Sequence, residues 1–482
     1  MSTFSGIEIL LRAMRAQQYQ VEVANHNIAN ANTPGYSRQS AELAASTPYT
    51  LPGMNHPVSP GQLGTGVEVV AIRRAHDRFV AYQIRSELSL KGNWAAQWDA
   101  ARQVEAVFNE PSGSGLSTLL DRFWQSWQEL GSAPDDSGVR ANLVEQAAAL
   151  ADGIRRNYDH LLQLRADLND EVRVKVDEIN TLATRIAGLN VQITQIEAVG
   201  HNANDLRDQR DLLLEQLSEI AGINVIELDN GSVQVSLGGR ALVDGQNTYT
   251  VAATLGAGGL YQVQWSVDGA PVQVDQGALA GILTARDSTI ANRIAALDAW
   301  SVRLMTAVNN VHKGWDPATG TPVASVYDLE TPGTPVTRDF FVGTGAADIA
   351  VNSQISGNVN LIAASRTANG TADGANALAL AALKYDVTAG GGTSGKTING
   401  EYEEFITRLG SDARAAEGLV ENQDVLLHHL RRRRESVSGV SIEEETARLI
   451  QAQRTFQAAS RALTALDEML NKLINQTGLV GR

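Results

Sequence analysis

The chain is 482 residues long and 43% hydrophobic, enough for several domains with real cores. Its 39 basic residues against 54 acidic ones give a net charge of −15, which excludes a chain that binds nucleic acid as a whole and favours solubility by self-repulsion. There is no cysteine, hence no disulfide, thiolate metal site or cysteine nucleophile. No apolar run approaches the roughly 20 residues that span a bilayer. No cleavable secretory signal is read either, because the apolar run at 9–11 is too short. These residues alone place the chain in the cytoplasm, unless an export route reads no cleaved signal.

From residue 4 to 31, Ile7, Met14, Val21 and Ile28 recur every seventh position, with Leu10 and Ala24 three residues on: a coiled-coil seam. Gln17 interrupts it, and small residues such as Ala24 bury little, at about 0.8 kcal/mol per CH₂ lost relative to Leu. Pro34 and Gly35 then end the helix, the first by removing a donor and the second by permitting positive φ. Pro48, Pro52, Pro57 and Pro60 mark an extended connector.

Helical spacing returns with Leu116, Leu119, Leu120, Phe123, Trp124, Trp127 and Leu130, where the tryptophans read as core. A long run follows: Val172, Ile179, Ile186 and Ile193, with Leu182, Leu189 and Ile196 offset by three, form a second seam against Leu206, Leu213, Leu217 and Ile220. At Gly222 the period changes to two. Residues 224–228 and 233–237 flank Asn230-Gly231, and 261–267 and 272–274 flank Asp268-Gly269, predicting two hairpins. Helix resumes near Gly277, carries Ile290, Ile294, Leu297, Leu304, Val308 and Val311 on one face, and ends at Gly314. The segment 315–358 either completes the β domain or forms loops beside it. From Asn376 the chain is helical again, burying Tyr402, Phe405, Leu409, Ala416, Val420 and Leu427.

The last helix carries the longest seam. Ile442, Leu449, Phe456, Leu463 and Leu470 hold one heptad position, and Ala452, Ala459, Leu466 and Leu473 the position three further on. Ser441 and Glu444 have the spacing of a capping box, and Gly478 stops the helix. Its opposite face is polar (Glu444, Arg448, Gln451, Thr455, Asn471), so it needs a partner seam, which the first helix supplies. Both stripes are thin, and the pair is expected to order fully only when many copies pack side by side.

The predicted fold is therefore mainly α with an inserted all-β domain, in a nested order. Residues 1–45 form an N-terminal coiled-coil segment pairing with 436–482. The helical body comprises 46–222, 277–314 and 359–435, the β domain 223–276, and 315–358 is an irregular segment.

Some residues carry a resemblance. Asn27, Ile28, Ala29, Asn30, Thr33, Pro34, Gly35 and Tyr36 are similar to the N-terminal motif of the rod, hook and hook-associated axial proteins of the bacterial flagellum. Gly66-Val67-Glu68-Val69, Arg73, Asp77, Phe79, Glu110-Pro111-Ser112, Gly115-Leu116-Ser117 and the run 205–211 resemble the flagellar hook-associated protein 1 family, as do Ser438-Gly439-Val440-Ser441, Glu444-Glu445, Gln453 and 467–470. The likeness covers both ends and most of the helical middle but not the β-rich centre. It implies a structural junction protein between hook and filament, required for filament assembly and motility, with no catalytic activity and no cofactor. It further implies terminal helices lining a tube of like copies, with the β domain outside. The implied partners are further copies in a ring or helix, the hook protein, the second hook–filament junction protein and an export chaperone on the C-terminal region. Export through the flagellar channel would leave the chain extracellular, without membrane or nucleic-acid contact. The candidate assembly residues are Ile7, Met14, Val21, Ile28, Asn30, Pro34, Gly35, Tyr36, Ile442, Leu449, Phe456, Leu463, Leu466, Leu470 and Leu473.

Other residues offer competing chemistries. Gly390, Gly395, Lys396 and Thr397 match a phosphate-binding loop in full, in which backbone N–H groups would cradle phosphate and Lys396 neutralise it. That loop needs a buried strand before it, whereas helical residues precede, and an unbroken helix after it, whereas Asn399-Gly400 reads as a break. His428 and His429 point about 100° apart on a helix and do not make a metal site. The run 431–434 of arginines reads as a solvated helix face, with an acidic neighbour such as the 443–445 glutamates of an adjacent copy as the functional alternative. Asp205, Asp208 and Asp211 alternate with Arg207 and Arg210 and read as an ion-paired helix start. A P-loop nucleotide-binding protein and a generic coiled-coil adaptor thus stand as the alternatives.

Overall fold

The computed structural model describes residues 3–48, 64–113, 115–392 and 395–475. Pro52, Pro57 and Pro60 of the connector, and Gly478, lie outside the described residues.

The chain opens with helix α1 (Thr3–Ala29) and strands β1 (Gln39–Ala45) and β2 (Val67–Arg74), which pair antiparallel. Residues 67–74, placed by the sequence reading in the helical body, are thus a strand lying beside α1. The alternation of Val67 and Val69 with Glu68 is a period-two signal too short to compete with the helical patterns around it. Helix α2 (Arg78–Phe108) starts where the Asp77 carboxylate accepts from the backbone N–H of Phe79 and Val80, at 2.9 and 3.1 Å.

Helices α3 (Leu116–Ser132), α4 (Ser137–Ala198) and α5 (Asn204–Ile220) build the body. Phe123, Trp124 and Trp127 of α3 and Val172, Ile179 and Ile186 of α4 are buried in one apolar cluster with Leu213 and Leu217 of α5.

Strands β3 (Ile223–Glu227), β4 (Val233–Leu237), β5 (Arg240–Asp244) and β6 (Asn247–Thr248) form one antiparallel sheet in that order. Asn230-Gly231 makes the first turn, with Gly231 at φ 82°. Strands β7 (Val251–Leu255) and β8 (Tyr261–Trp265) pair separately, and the second predicted hairpin survives as the turn at Gly269, where Trp265 N–H donates to the Ala270 carbonyl at 2.8 Å. Val233, Val235, Leu237 and Trp265 belong to the same apolar cluster as α4. Asparagines fasten the strands there. The Asn190 amide donates to the carbonyls of Val233 and Gly245 (2.9 and 2.7 Å), and Asn180 exchanges two bonds with the backbone of Val251. Each carboxamide takes the place of a neighbouring strand's peptide group.

Helix α6 (Ala278–Thr284) passes through a π-helical segment at 285–290 into α7 (Ala291–His312). The strands of the segment left open by the sequence are β9 (Phe341–Val342) and β10 (Ala350–Val351), paired with each other and not with the larger sheet. It serves the helical core instead: the Phe340 ring lies 5.1 Å from that of Trp127 and Phe341 lies 5.6 Å from Phe123. After α8 (Ser353–Gly357) and α9 (Ala375–Ala382), helix α10 (Ile398–Ser438) returns along α2, packing Leu427 and Leu430 on Val80, Ile84 and Leu88. Helix α11 (Ile442–Asn475) then runs antiparallel to α1, with Leu466 against Gly6 and Glu445 against Asn27.

Candidate functional site

The α1–α11 pair joins both ends of the described chain. On α1, Ala16, Val23 and Ala24 are buried, and on α11 Ala452 and Ala459. Ile7, Met14, Val21 and Ile28 are only half-buried, as are Leu449, Phe456, Leu463, Leu466 and Leu470. Ile442 and Leu473 are 49% and 53% exposed. The reason is geometric: in a pair, each heptad side chain has one neighbouring helix and covers one flank, so only small residues at the line of closest approach disappear from solvent. The capping box forms on one side only. Ser441 Oγ accepts from the Glu444 N–H at 3.4 Å, while the Glu444 carboxylate turns to Arg38 at 3.6 Å.

Where the pair meets the body, polar groups take over. Asn27 is fully buried at the centre of a clasp. Its amide donates to the Gln39 carbonyl (2.8 Å) and to Glu445 Oε2 (3.0 Å), and its Oδ1 accepts from Tyr36 Oη (2.7 Å) and from Gln39 N–H (2.9 Å). One side chain thereby ties α1, β1, α11 and the turn between them. Asn30 donates to the His26 carbonyl at 3.0 Å, closing the end of α1, and accepts from Thr33 Oγ1 at 3.2 Å. Gly35, at φ 81°, lets the chain reverse over Leu212 of α5, and Pro34 beside it is exposed. The Tyr36 ring meets His26 edge-on at 5.6 Å.

Below the clasp stands a ladder of carboxylates on α5. Asp205 faces His26 Nε2 (3.2 Å) and accepts from Gln39 Nε2 (2.6 Å). Asp208 accepts from the Ser37 N–H (2.8 Å) and from Arg74 (2.6 Å), and Asp211 pairs with the same guanidinium at 2.7 Å. The sequence reading paired these aspartates with Arg207 and Arg210, and that is corrected here. Arg207 reaches Glu197 and Glu227, and Arg210 donates to Asn190 and the Gly231 carbonyl. Residues three apart share one helix face, so the aspartates point together at the terminal segment while the arginines point to the sheet.

Burial shapes the titration of this face. It pushes the Asp208 carboxyl up despite Arg74, and it opposes ionisation of Asp211, where Arg74, His76 and Arg210 outweigh it and hold that carboxyl down. Burial and then Arg74 lower His76. Burial, followed by Asp205, Asp208 and Glu445, raises the Tyr36 hydroxyl, which stays a donor to Asn27.

Sequence reasoning missed Arg74 altogether and did not see that Glu445 bonds within its own chain. The visible signal was a buried-side Asn27 beside the seam residue Ile28, and a glutamate one position after the capping spacing. Glu445 is taken up inside its own chain, by Asn27 and Arg448 at 3.0 Å, and is not offered to an adjacent copy. Among the arginines, Arg434 pairs with Glu215 at 2.5 Å, and Arg431, Arg432 and Arg433 are exposed on α10.

The described residues around the glycine-rich motif present carbonyls and not a phosphate cradle: Arg303 donates to the Ala389, Val387 and Lys396 oxygens at 2.8, 3.1 and 2.9 Å. Lys396 pairs with Glu404 at 2.5 Å, and the elements before the loop are helical. The expected break at Asn399-Gly400 does not occur. Thr397 caps α10 by accepting from Gly400 N–H, and the first turn tolerates both residues. No group of metal-holding side chains occurs among the described residues.

Models of three families match. "Flagella basal body rod protein" covers residues 7–36, "Flagellar basal body rod FlgEFG protein C-terminal" covers 434–476, and "Flagellar hook-associated protein FlgK helical domain" covers 101–323. The two rod matches fall on α1 and α11, which pack together. A flagellar hook-associated protein 1 from Bacillus subtilis is 30% identical over all of this chain and all of its own length. The chain belongs to the flagellar hook-associated protein 1 family. A relative of the same name from Escherichia coli is 25% identical over 98% of this chain and 99% of its own. The fold is shared with the flagellar hook junction protein FlgK of Burkholderia pseudomallei, at TM-score 0.60 and 18% identity, over 74% of this chain and all of that one. Flagellar hook-associated protein 1 is a structural flagellar protein, so the nucleotide-enzyme and generic-adaptor readings find no support. No described helix is long and apolar enough to cross a membrane.

Proposed function

We propose that this chain joins the flagellar hook to the filament, without catalysis or cofactor, and that copies assemble head to tail through the α1–α11 pair into a ring or helix. The observation that carries this is the half-burial of Met14, Val21, Phe456 and Leu463, which gives each pair apolar flanks for neighbouring pairs. Packing several copies covers what one copy leaves open, so ordering is completed on insertion. The assembly residues are those of the two seams together with Asn30, Pro34, Gly35 and Tyr36. In this reading the terminal segments 1–45 and 436–482 form the inner part and the body and 223–276 the outer part. The hook protein lies below and the second junction protein above, an export chaperone holds the C-terminal region, and the chain leaves the cell through the flagellar channel without a cleaved signal. Imaging cells that lack the protein tests the reading: hooks without filaments are expected, and normally attached filaments overturn it.

A further inference from the structure

The terminal pair and the body share no apolar core. Ala16, Val23, Ala24, Ala452 and Ala459 stand outside the cluster that unites α2 to α10 with the strands. Two chain crossings connect the parts, one at 75–77 and one at 439–441, and the second contains Gly439. Apolar contacts are non-directional, whereas a hydrogen bond weakens steeply off its axis, so the angle between the parts is set by the polar groups. These are concentrated on one helix face. Asp205 holds α1 and β1 through His26 and Gln39, Asp208 holds the turn through Ser37 N–H, and Asp208 and Asp211 together hold β2 through Arg74. Asn204 adds bonds to Gln39 (3.1 Å) and to the Ile72 carbonyl (2.9 Å).

We propose that the Asp205–Asp208–Asp211 ladder is the positioning element of this protein: it fixes the angle at which the body stands on the terminal helix pair. Its importance for a junction rests on the assembly reading above, since a subunit whose body swivels cannot present one surface to each neighbour. Three carboxylates at successive turns resist rotation as one hydrogen bond cannot, because between them they grip α1, β1, the turn and β2. Arg74 acts through two of them, so losing either leaves the other holding β2.

The absence of cysteine makes the test clean. Spin labels on Gln192→Cys in α4 and Arg454→Cys in α11, both exposed, report the distance between the parts in the free chain. The labelled chain is expected to give a single narrow distance distribution. Asp205→Asn/Asp208→Asn/Asp211→Asn is expected to lose it for a broad one, with helical content and the main thermal transition kept. Arg74→Ala, the milder variant should the triple one fail to fold, is expected to broaden it partly, and Arg74→Lys to restore much of the sharpness. A distribution as narrow in both the triple variant and Arg74→Ala as in the parent overturns the proposal. So does broadening that only accompanies loss of helical content. The measurement uses no hook or filament, so failure of the junction reading leaves its outcome unchanged.

Discussion

The body and the terminal pair read alike as heptads, yet they differ in what they bury. In the body, Val172, Ile179 and Ile186 of one seam are fully buried, because α5, the sheet and α7 close over α4 from several sides. In the terminal pair the corresponding large residues are half out, and the buried positions go to alanines, Val23, Asn27 and Glu445. Heptad spacing states which face of a helix meets a neighbour, while the number of neighbours decides how deep that face goes. The body is complete within one chain. The pair leaves apolar flanks open, which the proposed assembly would cover.

Trp127→Ala removes a fully buried indole beside Phe123 and Phe340 and should cost about 3–5 kcal/mol in urea unfolding. A loss as small as that of an exposed substitution would contradict a closed body core.

His312 is an acid-sensitive point of the body. It is fully buried, its Nδ1 faces the Arg338 carbonyl at 3.0 Å and its Nε2 accepts from Ala363 N–H, so the folded ring is neutral and burial lowers its pKa to about 4. The unfolded ring takes its proton first. Stability is therefore full above about pH 6.5 and declines as pH falls toward about 4, by roughly 3 kcal/mol from this group. Unfolding curves at several pH values should show that decline, and His312→Gln should lose this part of it.

In the terminal pair, Asn27→Ala removes the partner of Glu445 Oε2, which keeps Arg448 on its other oxygen, and that of the Gln39 N–H. We expect about 1–3 kcal/mol of local destabilisation, seen as faster proteolytic removal of both ends, with the body's transition unmoved. In the parent chain the ends are likewise expected to be cut first, leaving a core from about residue 66 to about 434. Ends as resistant as the body would abolish the contrast.

Phe456→Asp and Leu463→Asp should leave the melting transition almost unchanged, since both side chains already meet solvent, and yet abolish filament attachment, because a carboxylate would be trapped between packed copies. A variant that still attaches filaments removes the seam from assembly, and one that unfolds the chain places it in the core. The smallest effect belongs to Lys396→Ala, which loses only an exposed pair with Glu404. Stability and filament attachment near the parent's are expected, and loss of attachment would return the glycine loop to consideration.

Much of the fold was legible in the sequence because it is written in period. Repeats of seven marked α1, α4, α5 and α11, alternation and Asn-Gly marked β3 and β4, and the turn at Gly35 followed from proline and glycine. The aromatic residues of 340–341 carried no such address. Their partners, Phe123 and Trp127, lie some 200 residues earlier, and a two-residue strand has no period to read. The strand β2 was lost in the same way, since its pairing with β1 spans the proline-rich connector.

The sequence by itself determined most of the helices, their apolar faces and the family motif around Asn30 to Tyr36, since each depends on residues close together along it. Only the tertiary structure decided the depth of the seams, the pairing of Arg74 with Asp208 and Asp211, the fastening of the strands by Asn180 and Asn190, and the capture of Glu445 by Asn27. Each of these sets a side chain against one that is remote in sequence. An aspartate on a helix looks the same in sequence whether it faces water, the arginine three residues away, or one on a strand more than a hundred residues before it. Which of these it meets is fixed by how the helix is turned in the packed molecule.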